Sequence, residues 1–549
     1  MDLLKGRKSH RSALFPKVIL VFDEASEIPK RLYYAICRGL RDIDKFAVWT
    51  FFLSTQSQIE DIAPSKEYYR SERIRTGTLQ RFEPFIHLQL DVEVCHRLAH
   101  ESSRQIELAK SLSSFTTQDH MLMFGRPLWD IYKNVDWLHA RGFALYKLLR
   151  NDEFDMQSNQ HAFAVIASRI SLDPCRDTKE STKFVTEAVD SHLRILTGTN
   201  IQDGTFVTTT PSEPIVSEAV ANLLVRSHNK PTGFENWSSS IGRLANPLIR
   251  GGFVNKGLKG ELYARLLCVL ARDTVLANEK SGEPFPYAQP FSAFAFMQAL
   301  FGQVWVDSFV AARSLNTRSR GGEQKDKEEK SFQEIFKDGL MNFTHFAYTN
   351  ESLPLNQANM QELLHYLMYS QTALQLCPNQ KDWDLLIPIY FGNRDGPFNR
   401  TELSAIAVQV KNTKQKNHMP PGKESTDLFG MKSPPIIHLL LDLGRKENSV
   451  TYRVERVSRK PNVHCIHATG ANASTFGCLK SGERLEAACA ELFQEIIQRS
   501  ETKLEKAIGG GNFITTRAFG KREELLNACQ KKDVEMADVG EFSEIGSAA

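Results

Sequence analysis

The sequence predicts an α/β protein of several domains. Three observations support this prediction. The chain of 549 residues is longer than a single hydrophobic core usually organises. Continuous apolar runs typical of buried strands occur near residue 20 and again after residue 380, each next to a helical pattern. The region from 81 to 313 has mostly helical spacing of its apolar residues.

Composition excludes several protein classes. Hydrophobic residues make up 41% and charged residues 24% of the chain, which is typical of globular proteins. Nine scattered cysteines without CxxC pairs indicate reduced thiols, not a disulfide scaffold or a zinc module. The sequence starts without a signal-peptide hydrophobic region, and no apolar run approaches the roughly 18 residues of a membrane span. We therefore expect an intracellular protein, cytoplasmic or nuclear, without a membrane partner. The formal charge of +3 neither requires nor excludes nucleic acid.

The first structural unit is a predicted strand, helix and strand. Residues 18–24 read VILVFDE, an apolar run that ends in Asp23 and Glu24. A helix is predicted from Pro29, and a second apolar strand covers 46–53 and is followed by Ser54 and Thr55. Acids at the carboxyl end of a parallel strand lie where open α/β sheets bind ligands. A core strand with a capped end is the alternative.

This unit resembles the second half of a P-loop NTPase, with Asp23 and Glu24 as Walker B and Ser54 or Thr55 as the sensor. The resemblance implies that the aspartate holds Mg²⁺ and the glutamate polarises water. The phosphate-binding motif GxxxxGK[S/T] would precede this strand, and the 22 residues before Asp23 do not contain it. We therefore expect no ATP binding by residues 1–80, because the unit is either truncated or a relic.

The middle region, 81–313, is predicted to be helical and winged-helix-like, with possible protein partners or self-association. Its Gly125-Arg126-Pro127 resembles the GxP turn of signal-transduction (STAND) NTPases, although a tight turn beside a core tryptophan explains it as well. Residues 255–273 form an amphipathic pattern, with Glu261 and Arg265 as an i, i+4 pair on its polar face. The polar residues 314–330 are predicted to be a linker.

A β-hairpin is predicted between 384 and 411. Asp384 precedes an apolar run, and glycine, proline and asparagine at 392–397 separate it from a second strand. Side chains alternate along a strand, so Ile406, Val408 and Val410 share one face. The other face carries Ala405, Ala407, Gln409 and Lys411. The hairpin therefore brings the Asp384 carboxylate to the same edge as Gln409 and Lys411. A strand cap and a solvated lysine are the alternative.

These residues resemble the motif of the PD-(D/E)xK nucleases, the restriction-endonuclease-like fold. The resemblance implies that Asp384 binds Mg²⁺ or Mn²⁺ and that Lys411 orients or deprotonates the attacking water. Gln409 stands where an acid is usual, and its amide oxygen can ligate only without charge, so metal affinity should be lower. Glu362, on a helix predicted at 355–374, is the candidate for a further acid.

Two strands at 435–443 and 462–468 and a helix at 483–498 are predicted to complete this nuclease-like domain, residues 331–505. His464 and His467 are excluded as a metal pair because residues three apart in a strand face opposite ways. Residues 412–427 read as a polar loop that could contact a phosphate backbone, and the acidic tail, 506–549, is predicted to be disordered.

A STAND-like NTPase followed by a PD-(D/E)xK domain resembles the Crinkler-type effectors. The resemblance implies a nuclease that acts on DNA or RNA under the control of the NTPase region. The alternative is a catalytically inactive module that binds nucleic acid or protein, with the NTPase remnant as a scaffold.

Overall fold

The computed structural model describes residues 18–42, 48–53, 90–99, 110–175, 178–200, 205–226, 233–254, 260–279, 285–311, 330–349, 357–377, 383–412, 433–455 and 462–498. Within this part the protein is mixed α/β. None of the described helices has the length and apolar character needed to cross a membrane.

The predicted strand, helix and strand near the start are confirmed. They are β1 Val18–Phe22, α1 Lys30–Asp42 and β2 Val48–Phe52. The two strands pair in parallel, from Val18 opposite Val48 to Phe22 opposite Phe52. Because strand side chains alternate, Phe22 and Phe52 share a face and stack with ring centroids 4.9 Å apart. The ring of Tyr33 in α1 packs edge-on against Phe52 at 5.1 Å, so α1 covers this face.

The remaining helices and one hairpin precede or flank the main sheet. The hairpin is β3 Ile195–Asn200 with β4 Thr205–Thr209. The helices are α2 Val92–Ala99, α3 Gln118–Met121, α4 Trp137–Leu149, α5 Asn159–Ile170, α6 Lys179–Ser191, α7 Pro214–Val225, α8 Glu235–Arg243, α9 Glu261–Glu279, α10 Ala293–Phe301, α11 Gln303–Ala311, α12 Phe332–Phe336, α13 Gln357–Tyr369 and α14 Leu485–Gln498. The predicted helical character of the middle region is thus present in the described residues.

The main sheet has nine described strands. They are β5 Phe291–Ser292, β6 Leu340–Met341, β7 His345–Tyr348, β8 Thr372–Gln375, β9 Leu385–Tyr390, β10 Leu403–Lys411, β11 Ile436–Asp442, β12 Ser449–Glu455 and β13 Val463–Thr469. The order is β12-β13-β11-β10-β9-β6-β5, with β8 also paired to β9 and β7 paired to β8. β9 and β10 form the predicted antiparallel hairpin, whereas β10, β11 and β13 run parallel. Parallel strands are buried on both faces, which explains their continuous apolar sequences.

The two faces of the sheet contact different hydrophobic clusters. Ile406, Val408 and Val410 belong to the larger one, with residues of α5, α7, α8, α9, α10 and α14. Ala405 and Ala407 belong to the smaller one, which α13 covers. The predicted alternation along β10 is therefore confirmed. The positions of α13, β11, β13 and α14 also confirm the elements expected at 355–374, 435–443, 462–468 and 483–498.

The larger core contains residues from both sides of the segment predicted as a linker, 314–330. It contains buried residues from Met121 to Ile496, so helices of the middle region and strands of the nuclease-like region pack in one core. A buried ion cluster joins them as well. Asp273 of α9 accepts hydrogen bonds from Arg169 at 2.8 and 3.0 Å, and the Arg169 Nε donates to the Thr344 carbonyl at 2.9 Å. The polar segment 314–330 therefore does not separate two hydrophobic cores.

The turn at Gly125 is held by contacts within the protein. The Arg126 backbone N–H and the Trp129 indole N–H both donate to Glu213 Oε1, each at 2.9 Å. Gly125 has a φ of +84°, and a Cβ there would lie 2.2 Å from Glu213 Cγ. The turn beside a core tryptophan therefore accounts for this glycine.

Candidate functional site

Asp384 lies immediately before β9, where the hairpin ends. Its backbone N–H donates to the Val408 carbonyl at 2.8 Å, and its carbonyl accepts from Leu376 at 2.9 Å. The Val410 backbone N–H donates to Asp384 Oδ2 at 2.6 Å. This carboxylate therefore continues the β9–β10 hydrogen-bonding pattern and is fixed at the end of the hairpin. Burial raises the Asp384 pKa, and the Val410 hydrogen bond and the Lys411 charge act against this shift.

Gln409 and Lys411 close β10 and are both half-buried. The alternation along β10 places them on the same face as Ala405 and Ala407. The positive charge of Lys411 lowers the pKa of Asp384, so the ammonium group lies within electrostatic range of that carboxylate. The structure thus places Lys411 within electrostatic range of Asp384, and Gln409 on the same face of β10 as Lys411.

Glu261 is the acid that the sequence analysis did not assign to this site. It is the first residue of α9, and its Oε2 accepts a hydrogen bond from the side-chain amide of Gln375 at the end of β8. Burial and the nearby Asp384 charge raise the pKa of Glu261 to about 7, against the effects of Arg265, the Gln375 hydrogen bond and Lys411. Two carboxylates and a lysine therefore lie within electrostatic range of one another at this edge of the sheet.

The charges of Glu261 and Arg265 influence each other, but the prediction that they lie on a polar helix face was wrong. Almost every residue of α9 from Leu262 to Leu276 is buried, and Arg265 is only 6% exposed. Its guanidinium donates to the carbonyls of Ile170 and Ser171. Arg265 thus links α9 to the end of α5, whereas Glu261 faces the sheet edge.

Gly260 explains how the first turn of α9 can lie so close to β10. Its φ is +108°, a conformation that L side chains rarely adopt. A Cβ at this position would lie 3.1 Å from Val410 Cγ1 and 3.4 Å from Leu443 Cδ1. The glycine therefore allows close packing at the point where the helix presents Glu261.

Glu362 does not share this environment. It is exposed on α13, whose buried residues Met360, Leu364 and Leu367 face the smaller core. The buried carboxylate near Asp384 comes from a different helix, α9, which lies in the other core. The carboxylate that lies within electrostatic range of Asp384 is thus that of Glu261, whereas Glu362 is exposed on α13.

The proposed NTPase residues are only partly within the described residues. Asp23 follows β1 directly, is exposed, and accepts a hydrogen bond from the Glu24 backbone N–H at 3.0 Å. The Leu53 carbonyl at the end of β2 accepts from the Ala25 N–H at 2.7 Å, so the two strand ends are adjacent. Ser54 and Thr55 lie outside the described residues.

The donor set at Asp384 suits a hard divalent cation. Carboxylate oxygens, which Asp384 and Glu261 supply, are ligands that Mg²⁺ and Mn²⁺ prefer. Burial is the larger cause of the raised Glu261 pKa and the Asp384 charge is the second, and a bound cation would offset the repulsion between these two charges. Within the described part of the chain, no group of three or more His, Cys, Asp and Glu side chains is arranged to hold a metal. The metal-binding candidate is the pair of carboxylates of Asp384 and Glu261.

The two histidines of β13 lie on opposite faces, as predicted. His464 Nδ1 is 2.8 Å from the Tyr452 hydroxyl and its ring packs edge-on to Phe336. His467 Nε2 lies 3.8 Å from Asp442 Oδ2.

Comparison with known proteins does not assign a family. No protein-family model, no curated protein and no solved structure matches this chain. Function therefore has to be argued from the residues of the site itself.

Proposed function

We propose that this protein is a metal-dependent nuclease of the PD-(D/E)xK type that hydrolyses phosphodiester bonds in DNA or RNA. The observation that carries the proposal is that the half-buried carboxylates of Asp384 and Glu261 lie within electrostatic range of each other and of Lys411 at the end of a β-hairpin. Burying two acids together raises the pKa of Glu261 to about 7 and disfavours its ionised form, which a fold alone does not require.

Each residue has a distinct part in the proposed reaction. Asp384 and Glu261 would hold Mg²⁺ or Mn²⁺, and the Gln409 amide oxygen would add a neutral ligand. A bound divalent cation supplies charge neutralisation at the phosphate and acidifies a water molecule. Lys411 donates to the attacking water or the phosphate and offsets the negative charge that develops there. The Val410 N–H keeps the Asp384 carboxylate fixed in orientation.

We further propose that the unit of β1, α1 and β2 belongs to an incomplete STAND-like NTPase. This combination with a nuclease is the arrangement expected for a Crinkler-like effector. Asp23 and Glu24 follow a parallel strand in a β-α-β unit, which supports a P-loop-derived origin. We expect no ATP binding by this chain, because it lacks the phosphate-binding motif. An intracellular location, in cytoplasm or nucleus, and a nucleic-acid partner follow from the proposed activity.

A cleavage assay on the full-length protein tests this function. Supercoiled plasmid and a structured RNA are incubated with Mg²⁺, with Mn²⁺ or with EDTA, and we expect metal-dependent cutting of at least one substrate. Lys411→Ala and Glu261→Gln should each lower the rate by about 10²-fold or more, since each removes a group that acts on the reacting phosphate. Glu362→Gln is the matched control and should cut like wild type. Equal cutting by wild type and Lys411→Ala, or by neither, would contradict the proposal.

A second function is supported by Gln409. An amide in place of the usual acid lowers the negative charge at the site, which suits a module that binds nucleic acid or protein without cutting. The variant Gln409→Glu separates the two functions. Higher metal affinity with a gain in cutting indicates a nuclease that one residue weakens. An inactive variant that still binds DNA in a mobility-shift assay indicates the binding module.

A further inference from the structure

A second polar pair lies on the same sheet edge as the proposed nuclease site. Lys411 of β10 is the direct register partner of Asp442 in β11. Gln409 of β10 pairs with Leu440 of β11, which in turn pairs with His467 of β13. Register partners in parallel strands point to the same face. His467 Nε2 lies 3.8 Å from Asp442 Oδ2, diagonally across these two strands. Lys411, Asp442 and His467 therefore lie at or near the carboxyl ends of three parallel strands, and Asp384 lies at the same edge because it precedes the antiparallel strand β9.

The burial of this pair is asymmetric. The Asp442 side chain is 1% exposed, whereas that of His467 is 20% exposed. A buried carboxylate is costly unless a partner compensates its charge, and here it lies behind a more accessible imidazole. The Asp442 carboxylate therefore lies where it can orient the imidazole ring of His467 from the buried side.

The distance across the sheet suits a role in the same reaction. Neighbouring strands are about 4.8 Å apart, so β13 lies about 10 Å from β10. A histidine side chain spans about half of that distance. The attacking and leaving oxygens of an in-line displacement lie on opposite sides of the phosphorus. A group on β13 can therefore approach the leaving oxygen while Lys411 on β10 approaches the attacking water.

We propose that His467 is the general acid of the phosphodiester hydrolysis and that Asp442 is its positioning residue. The proposal rests on the nuclease function proposed above. Water attacks phosphorus and forms a new P–O bond, and the bond from phosphorus to the leaving sugar oxygen breaks with its electron pair on that oxygen. The imidazolium of His467 gives its proton to this oxygen. The proton that the attacking water loses passes to solvent, and His467 is protonated again from solvent.

The test uses a leaving group that needs no proton. An oligonucleotide that the wild-type protein cuts is compared with the same oligonucleotide carrying sulfur in place of the bridging oxygen, with the 3′ and the 5′ position substituted in separate samples. A thiolate departs without general-acid help. We expect His467→Ala to slow cleavage of the oxygen substrate by about 10²- to 10³-fold. One of the two sulfur substrates has sulfur at the atom that leaves phosphorus during cleavage. His467→Ala should cut that substrate at a rate close to the wild-type rate.

Asp442→Asn should slow the oxygen substrate less than His467→Ala and leave the sulfur substrate close to wild type. Thr451→Ala is the matched control, because Thr451 is the exposed register partner of His467 on β12. Equal slowing of oxygen and sulfur substrates by His467→Ala, or no slowing of either, would overturn the general-acid role. Failure of the wild-type protein to cut any substrate would instead overturn the nuclease function and this role with it.

Discussion

Replacing Glu261 with glutamine should stabilise the protein in a pH-dependent way. Burial, together with the Asp384 charge, raises the pKa of Glu261 from 4.5 to about 7. The folded protein therefore binds a proton at Glu261 more tightly than the unfolded chain does between these two values. Stability decreases as pH rises through this window and levels off above the folded pKa. Glutamine has no charge to bury, so the variant does not show this decrease.

The magnitude follows from the size of the shift. One pKa unit corresponds to about 1.4 kcal/mol in the free energy of unfolding. Relative to low pH, the wild-type protein therefore loses at most about 3 kcal/mol of stability by pH 8 and less than about 1 kcal/mol by pH 5. Because Glu261 is half-buried, we expect the stability advantage of Glu261→Gln over wild type to grow by about 2 kcal/mol between these pH values.

Urea unfolding in EDTA at pH 5 and pH 8 measures this difference. Glu362→Gln is the matched control, because it removes an exposed carboxylate. Its effect on the free energy of unfolding should be the same at both pH values. A Glu261→Gln advantage that does not change with pH, or that shrinks as pH rises, would refute the proposed environment of Glu261.

Three further predictions concern the supports of the site. Gly260→Ala should destabilise the protein by about 1–3 kcal/mol, because φ is +108° and the new Cβ would contact Val410. Thermal unfolding measures this loss of stability, and calorimetry should show weaker Mn²⁺ binding by the variant. Asp273→Asn should cost about 3–5 kcal/mol in urea unfolding, because Arg169 and Arg272 remain buried with less compensation; an effect below 1 kcal/mol would contradict this. Wild type in Mn²⁺ should show a higher thermal unfolding midpoint than in EDTA, and Glu261→Gln should lose this gain.

The hairpin and its polar edge were predictable because their signals are local. The alternation along β10 fixes which residues share a face, and the register follows because a slip by one residue would move Ile406 and Val408 from the larger core into the smaller one. The helix acid was not predictable in this way. Glu261 and Arg265 have the spacing of a solvated pair, and only the tertiary packing of α9 buries this helix on nearly all sides.

A signal for Glu261 was nevertheless present in the sequence. The stretch from 261 to 271 reads ELYARLLCVLA, which is too apolar for a helix with a wide solvated face. Glu261 is the single acid in this stretch, so a helix that is buried here has to compensate its charge. The sheet order could not be read from the sequence in the same way. β5 and β6 contribute two residues each, and their pairing joins positions about 50 residues apart.

The site draws on both sides of segment 314–330, and this limits how the proposed nuclease can be controlled. Glu261 comes from α9, whereas Asp384, Gln409 and Lys411 come from β9 and β10. The Tyr263 hydroxyl donates to the Ala471 carbonyl at 2.9 Å, and Thr274 Oγ1 lies 2.7 Å from Ser481 Oγ, so α9 is fixed along its length to residues after β13. Separating residues 331–505 from α9 would remove the proposed metal ligand Glu261 and open the larger core. If the amino-terminal region controls the proposed nuclease, we therefore expect it to act on access to an assembled site, because the proposed chemistry depends on the packing of α9.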